Sequence, residues 1–372
     1  MVRPLPRPVC LVQPTLFPEA SRVDIYEYGC ALARLGVETH VVISENHAGK
    51  LPPGLIVHET GFAPRNTPAC WWRFAVFART TVRRLNFGIV HLFNPSPATY
   101  LLGWMLRREP RRPRIIYDLR TGGLGHSPVA MLVNAMARTS SGFADGLIAV
   151  TGALGSHLLG AGRFHEVPIG VNLESFRPRE RRRREDGAFT FVYAGTLSGN
   201  RTLIKMLRAF ARVVGEHPRV RLVIAGDGDD RGRLEQFVAA RGLGHAVSFL
   251  GKRPHAEVPA LLAAADCGLS YVPDKPWYQP QAQLKTLEHV AAGLTTVAVG
   301  TAGNRQYWDG LPPELLTGDD PESYAAGMRC ALTGTYEPAR FRRVAEANSW
   351  DRIARERLVP FYEAMLALER RS

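Results

Sequence analysis

Residues 283–299 read QLKTLEHVAAGLTTVAV and hold a helix, its stop and a strand in immediate succession. Val290, Ala291 and Ala292 continue an apolar helical run, Gly293 supplies the stop, and Thr295–Val299 reads as a buried parallel strand. Lys285 and Glu288 fall in the first turns of that helix. A helix N-terminus carries unpaired N–H groups and partial positive charge, so a phosphate can dock there. Lys285 would add a full charge, and Glu288 would accept hydroxyl hydrogen bonds, which points to a sugar beside the phosphate. The ordinary alternative is an i,i+3 surface pair worth about 0.2–0.5 kcal/mol. Taken alone, the stretch leaves both readings open.

Working outward, the same rhythm fills the C-terminal half. Strands are expected at Phe189–Tyr193, Val220–Ala225, Val247–Leu250 and Gly268–Val272, with helices at Leu203–Val214, Arg233–Arg241 and Val258–Ala265 between them. Glycine loops follow three of the strands, at Gly195, at Gly226 and Gly228, and at Gly251. Glycine lets a ligand approach the backbone, although a lone glycine after a strand is more often a plain turn. Arg201 would place a fixed positive fork beside the first loop.

The N-terminal half opens with strands at Val9–Val12 and Thr39–Ile43 around a helix at Ile25–Arg34, which a right-handed crossover makes parallel. Further strands are expected at Ile56–His58, Ile89–Phe93, Arg114–Tyr117 and Gly146–Val150, with helices at Cys70–Leu85, residues 98–106 and Met131–Ala144. Ligands of such doubly wound sheets collect beyond the carboxyl ends of the strands. The first-half candidates are therefore Ser21, Arg22, His91, Asn94, Asp118 and Arg120. The expected architecture is α/β, two Rossmann-like doubly wound domains facing each other across a cleft. Its parts are an N-terminal domain at 1–175, a basic linker at 176–187, a C-terminal domain at 188–348, and a helix at 349–372 packing back toward the first domain.

Composition bounds the partners. The 372 residues exceed one ordinary core, and 45% hydrophobic with 22% charged residues suits a soluble globular protein. A formal charge of +13 favours anionic partners. Much of it is arginine in two clusters, Arg107–Arg114 and Arg177–Arg184, with no interleaved aromatics, so solvated faces or a linker are expected and nucleic acid is not. Cys10, Cys30, Cys70, Cys267 and Cys330 form no C-x-x-C pair and read as reduced core thiols, which with no signal-peptide or membrane-span pattern implies a cytoplasmic protein. Trp71, Trp72, Phe74, Val76 and Phe77, followed by Arg79, Arg83 and Arg84, suit either core packing or peripheral contact at the inner face of a membrane.

The segments VPIGVNLESF, FVYAGTLSGNR, LVIAGDGDD, VSFLGKRP, LLAAADCGLS, LKTLEHVAAG and the SW of ANSWDRI, in that order over about residues 165–355, resemble the retaining glycosyltransferases of family 4, which have the GT-B fold. The first half is similar in pattern only, through ALARLGVETHVV and IIYDLR. The resemblance implies donor contacts at Gly195, Thr196, Arg201, Lys205, Gly226, Asp227, Gly228, Lys252, Arg253, Gln283, Leu284, Lys285 and Glu288. Arg201, with Lys205 and Lys285, would hold the diphosphate, the backbone at Lys252 and Arg253 the nucleobase, and Glu288 the ribose hydroxyls. Ser21, Arg22, Asn94 and Arg120 would face the acceptor. Two positions depart from the family pattern. Thr196 stands where an arginine is common, and Pro280 stands eight positions before Glu288, where a first glutamate is expected; Gln279, Gln281 or Gln283 would then read the sugar.

The implied chemistry is metal-independent transfer of a sugar, with retained configuration, from a nucleotide-diphosphate sugar to a hydroxyl of a glycan, lipid-linked or small-molecule acceptor. It is the chemistry of polysaccharide or glycoconjugate biosynthesis. The nucleotide sugar is a co-substrate, and no cofactor is implied; a uridine diphosphate donor is expected on family frequency. Arg201 and Lys285 would stabilise the leaving diphosphate, while Asp118 or His91 would orient the acceptor or assist its proton. For Asp118 a loop cap, and for His91 a satisfied core imidazole, remain the ordinary readings. The alternative is a catalytically inactive sugar-nucleotide or partner-binding protein of the same fold.

Overall fold

The computed structural model describes residues 5–17, 23–46, 51–63, 65–94, 96–178 and 187–368. The chain divides into two compact units, Met1–Ile169 with Trp350–Ser372, and Gly170–Ser349.

Unit 1 contains β1 (Val9–Val12), β2 (Leu16–Phe17), β3 (Thr39–Ile43), β4 (Glu45–Asn46), β5 (Leu55–Glu59), β6 (Ile89–Phe93), β7 (Arg114–Leu119), β8 (Gly146–Ala149) and β9 (His165–Glu166). Seven of these make one parallel sheet in the order β5-β3-β1-β6-β7-β8-β9, and β2 pairs with β4. Unit 2 contains β10 (Phe189–Ala194), β11 (Val220–Ala225), β12 (Val247–Gly251), β13 (Cys267–Ser270), β14 (Thr295–Val299) and β15 (Leu316–Thr317), parallel in the order β12-β11-β10-β13-β14-β15. Both are doubly wound, with the chain reversing its direction of winding at β1 and at β10. Continuous burial along β1, β3 and β14 requires helices on both faces, which is why these strands read as unbroken apolar runs. Tyr28, Phe74, Phe93 and Phe143 fill the core of unit 1, and Phe191, Phe210 and Tyr324 that of unit 2.

Local chemistry sets the helix starts. Ser96 and Thr99 form a capping box ahead of Pro97–Arg107, and Ser127 caps Pro128–Thr139, with proline in the first turn of each. The second of these begins three residues earlier than the apolar spacing predicts and gives way to a 3-10 turn at Ser140–Gly142. Helix Pro68–Leu85 divides its aromatics: Phe74 is buried, whereas Trp72 is 57% exposed.

Three expectations change. Residues 170–175 group with unit 2, where Val171 N–H donates to Asn348 O and Arg342 donates to the carbonyl oxygens of Leu173 and Phe176. Phe176 is therefore a buried core residue and not a linker residue, while 179–186 of the expected linker lie outside the described residues. The C-terminal segment is not one α-helix. Trp350–Ile353 passes through a π turn at Ala354–Leu358 into Val359–Ala367, because Pro360 has no N–H to continue the ladder and the wider turn absorbs the break. This segment belongs to unit 1, where Trp350 packs edge-on against Tyr28 at 5.0 Å.

Candidate functional site

In unit 2 the loops after β10 and β11 hold each other. Leu197 N–H donates to Asp227 O at 2.9 Å, and Asp230 N–H returns a bond to Leu197 O at 2.9 Å. A side chain at Gly226 would collide with the carbonyl oxygen of Gly195, and one at Gly228 with that of Leu197. These two glycines are thus demanded by loop-on-loop packing, in line with their reading as plain turns. Asp227 accepts its bond from Gly228 N–H and faces Arg231, whereas Asp229 accepts from Gly199 N–H. The D-G-D carboxylates therefore have different partners.

Helix Leu284–Ala291 starts at Gln283 without a side-chain cap, and Lys285 to Ala291 are buried along its whole length. A buried chain of hydroxyls and an amide anchors it: Ser270 Oγ lies 2.7 Å from Thr286 Oγ1, Thr286 Oγ1 donates to Asn304 Oδ1 at 2.7 Å, and Asn304 Nδ2 donates to Val299 O. Lys285 Nζ points at the loop after β10. It donates to Tyr193 Oη at 3.2 Å and stands 4.3 Å over the Tyr193 ring, with no carboxylate in ion-pair range among the described residues. Burial pushes its ammonium well below the usual lysine range, and the nearby Arg201 adds to this while Glu288 opposes it. Arg201 has its guanidinium carbon 5.9 Å from the Tyr278 ring centre, and its buried Nη1 has no hydrogen-bond partner. Glu288 is buried, and its Oε1 lies 2.6 Å from His255 Nε2.

The remaining donor-side candidates are placed as follows. Thr196 is exposed, and its carbonyl oxygen accepts from Tyr193 Oη at 3.4 Å. Lys205 is held by Asp319 at 2.9 Å, so its charge already has a partner. Lys252 and Arg253 are exposed on the loop after β12, with Arg253 3.7 Å from Glu257. Gln283 is buried and donates to Gln281 O, and Leu284 is half-buried beside it. The glutamines around Pro280 do not hang free: Gln279 bonds Asp274 and Ala302 N–H, and Gln281 donates to Trp277 O. The Gln279 amide fastens the segment to Ala302 in the turn at 301–304, while that of Gln281 closes on the segment itself.

In unit 1, Asp118, His91 and Arg120 form one buried cluster. Asp118 Oδ2 is 2.9 Å from His91 Nε2 and 2.9 Å from Arg120 Nε. His91 Nδ1 meets Tyr362 Oη at 2.6 Å, and Arg120 also donates to Val167 O and Tyr28 Oη. Burial holds the His91 imidazole down, so the neutral ring donates through Nε2–H to Asp118 and accepts from the Tyr362 hydroxyl. Burial alone would raise the Asp118 carboxyl, but Arg120 and His91 outweigh it and keep it below the usual range. Asp118 and His91 have no exposed surface. Both therefore stand inside a hydrogen-bonded buried cluster, which is the ordinary reading of His91 as a satisfied core imidazole. Arg120 is likewise turned inward, and only its backbone N–H reaches the neighbouring loop.

That loop borders a cavity of about 420 Å³ beyond the C-terminal ends of β1, β6 and β7. Asn94 lines it in the left-handed backbone region at φ 55°, and its Oδ1 accepts from Arg120 N–H and Thr121 N–H. With the oxygen so engaged, the amide nitrogen is the group Asn94 offers to the cavity. Gln13, Ser96, Thr121 and Ser127 add uncharged polar groups, and Leu124 and Val129 an apolar rim. Val129, Met131 and Leu132 on the adjoining helix are exposed. Ser21 and Arg22 lie outside the described residues. The residues that sequence reading missed are Tyr193, His255 and Asp24, the last 3.9 Å from Arg120 with its carboxyl pushed by burial up to about 6.

The description Glycosyl transferases group 1 matches residues 188–333, and Glycosyltransferase Family 4 matches residues 23–175. The chain is 30% identical over 239 residues to the GDP-mannose-dependent alpha-(1-6)-phosphatidylinositol dimannoside mannosyltransferase of Mycobacterium tuberculosis, covering 59% of this chain and 58% of that one. This chain thus spans little more than half the length of that relative. A D-inositol 3-phosphate glycosyltransferase of Catenulispora acidiphila is 26% identical over 91% of this chain and 89% of its own. Among solved structures, the sucrose-phosphate synthase of Thermosynechococcus elongatus superposes with a TM-score of 0.77 at 19% identity, covering 97% of this chain and 99% of that one. At that identity the likeness speaks for the GT-B fold.

Proposed function

Because the chain belongs to glycosyltransferase family 4, we propose that it moves a sugar from a nucleotide-diphosphate sugar, held by unit 2, to an acceptor hydroxyl held by unit 1. The observation that carries this reading is the pair of cations Lys285 and Arg201, which have no carboxylate in ion-pair range among the described residues, beside the buried carboxylate of Glu288. Buried positive charge without a counter-ion is costly. A diphosphate supplies the missing charge, and Glu288 accepts from ribose hydroxyls. In the reaction the bond between the sugar's anomeric carbon and the phosphate oxygen breaks with its electron pair going to that oxygen. The acceptor oxygen bonds the same carbon from the same face, and its proton passes to the departing phosphate. Lys285 and Arg201 stabilise the charge that develops on the diphosphate, work that a metal ion does elsewhere.

The acceptor side follows from the unit 1 cavity, whose described lining is uncharged, with the Asn94 amide nitrogen as donor and an apolar rim. A hydroxylated head group on a hydrocarbon-bearing, lipid-linked acceptor suits it best. The exposed Trp72 and Val76 on a helix that also carries Arg83 and Arg84 favour peripheral contact with an anionic membrane surface from the cytoplasmic side. Among the described residues no helix is long and apolar enough to cross a membrane. A uridine donor is favoured on family frequency, while the mycobacterial relative is named for GDP-mannose, so both belong in the test.

The test is incubation with uridine- and guanosine-diphosphate sugars and a panel of glycan, lipid-linked and small-molecule acceptors, read by mass spectrometry of the products. A glycosylated acceptor is expected. Nucleotide binding without turnover of any donor would favour the second reading, an inactive sugar-nucleotide-binding protein, for which the engaged glutamines around Pro280 speak.

A further inference from the structure

Glu288 is a glutamate with three side-chain torsions, and its carboxylate is useful for reading hydroxyls only if it is aimed in advance. Its Oε1 is taken by His255 Nε2 at 2.6 Å, and no other described side chain forms an ion pair with it. His255 opens a 3-10 turn, His255–Glu257, four residues beyond Gly251, whose left-handed backbone turns the chain out of β12. It thus joins the loop carrying Lys252 and Arg253 to the helix carrying Glu288. The imidazole is backed by the Phe176 ring, 5.7 Å away between centres, and Phe176 is buried. Arg342 fixes that backing: one guanidinium nitrogen donates both to Phe176 O at 2.7 Å and to Ala291 O at 2.6 Å, the latter at the C-terminal end of the Glu288 helix. A single arginine therefore ties the wall behind His255 to the element that bears its partner.

We propose that His255 is a positioning residue that locks one oxygen of Glu288 and leaves the other aimed at a ribose hydroxyl, so that it sets the preference for ribose over 2′-deoxyribose in the bound nucleoside diphosphate. The inference rests on the donor-site reading above. Freezing the carboxylate before binding removes an ordering cost from complex formation, and the imidazole N–H spares a buried carboxylate from standing unpaired. Substrate need not touch the ring for this to hold.

The test titrates the full chain with uridine and guanosine diphosphates and with their 2′-deoxy forms. The wild type is expected to bind the ribonucleotide at least about tenfold more tightly than its deoxy form, the size of a hydrogen bond to a charged group. His255→Phe keeps a ring against Phe176 and loses the donor, and His255→Ala loses both; each is expected to bring the ratio within about threefold. His255→Gln restores an N–H donor and should return the ratio to within about twofold of wild type. A ratio unchanged in both H255F and H255A, or one that falls as far in H255Q as in H255F, would overturn the proposal. Glu288→Ala separates the two levels. If it abolishes the ratio while H255F keeps it, only the role of His255 fails; if it too leaves the ratio and the affinity intact, the donor-site reading fails and takes the proposal with it.

Discussion

Two buried charges in this protein are treated in opposite ways. Asp118 of unit 1 receives His91 and the Nε and Nη2 of Arg120 on one oxygen, Oδ2, while its buried Oδ1 has no hydrogen-bond partner, and the groups behind it, Tyr362 and Tyr28, close the cluster from the C-terminal segment and the first helix. Lys285 of unit 2 has one phenol oxygen at 3.2 Å, an aromatic face and a second cation nearby. A buried charge paired with an opposite charge pins structure in place, whereas a buried cation without a counter-ion leaves room for an anion that brings one. The distinction is drawn from partners and not from burial, since both side chains are nearly or wholly inaccessible.

The comparison breaks most visibly at Asp118. Asp118→Asn keeps the shape but leaves the Arg120 guanidinium buried with Asp24, at 3.9 Å, as its remaining carboxylate. Removing one partner of a buried pair costs about 3–5 kcal/mol, so a large drop in urea or thermal midpoint is expected, with nucleoside-diphosphate affinity within about twofold of wild type wherever the variant is folded. The carboxyl is held below its unfolded value, so its stabilisation is complete above the unfolded aspartate pKa of about 3.9 and is lost as the pH falls through the lowered folded value. Acid melts of wild type and D118N should therefore converge. A variant that folds normally but loses acceptor turnover would return Asp118 to the reacting groups.

Lys285 should behave the other way round. Lys285→Met is expected to lower kcat/KM for the donor by about 10²–10³, the scale of losing one charge aimed at a developing anion, while leaving stability at or above wild type because an unpaired buried ammonium has been removed. Its folded ammonium loses the proton below the unfolded lysine value of about 10.4. Between those two values the unfolded chain binds more protons, so wild-type stability rises with pH over that window and that of K285M does not. A destabilised K285M with unchanged turnover would show that Lys285 is structural.

This contrast also marks what the sequence could and could not convey. Lys285, Glu288 and the stop at Gly293 are neighbours along one helix, so their grouping is local and could be read directly. The doubly wound order followed equally from alternating apolar runs and turns. Asp118 and His91 were legible only as residues near strand ends. Strand period tells the level at which a side chain stands, but which layer covers it depends on Tyr362, 271 positions from His91. Tyr193 under Lys285 and His255 on Glu288 are likewise tertiary pairings, with sequence separations of 92 and 33. A glycine's vacancy looks the same whether a substrate or another loop fills it, so the loop-on-loop contacts at Gly226 and Gly228 are not legible in the sequence. The break at Pro360 carried a signal in the sequence, since a proline inside a long helical run interrupts its ladder.

A smaller effect is expected at Asn94, where the two units' logic meets in one residue. Its Oδ1 accepts two N–H bonds, as Asp118 Oδ2 accepts its own partners, and its amide nitrogen is left for the cavity. Asn94→Asp keeps the accepting oxygen and loses the donor, so acceptor KM should rise about five- to tenfold, the scale of one hydrogen bond. Donor affinity should hold and the melting midpoint change little. Asn94→Ala adds a left-handed backbone strain of about 1 kcal/mol at φ 55° and should lower stability as well. Unchanged acceptor KM in N94D would remove Asn94 from the acceptor site.

The smallest effect tests the rule on a cation that sequence reading grouped with Lys285. Lys205 stands near the same loop but is already bonded to Asp319 at 2.9 Å, with a third of its side chain exposed. A charge with a carboxylate partner at the surface has little left to offer a diphosphate, and such pairs contribute about 0.2–1 kcal/mol. Lys205→Ala is therefore expected to shift nucleoside-diphosphate affinity by no more than about twofold and stability by less than about 1 kcal/mol. If K205A instead weakens the diphosphate about as much as K285M, then Asp319 releases its lysine when donor binds, and the number of partners in the unliganded protein ceases to distinguish scaffold from site.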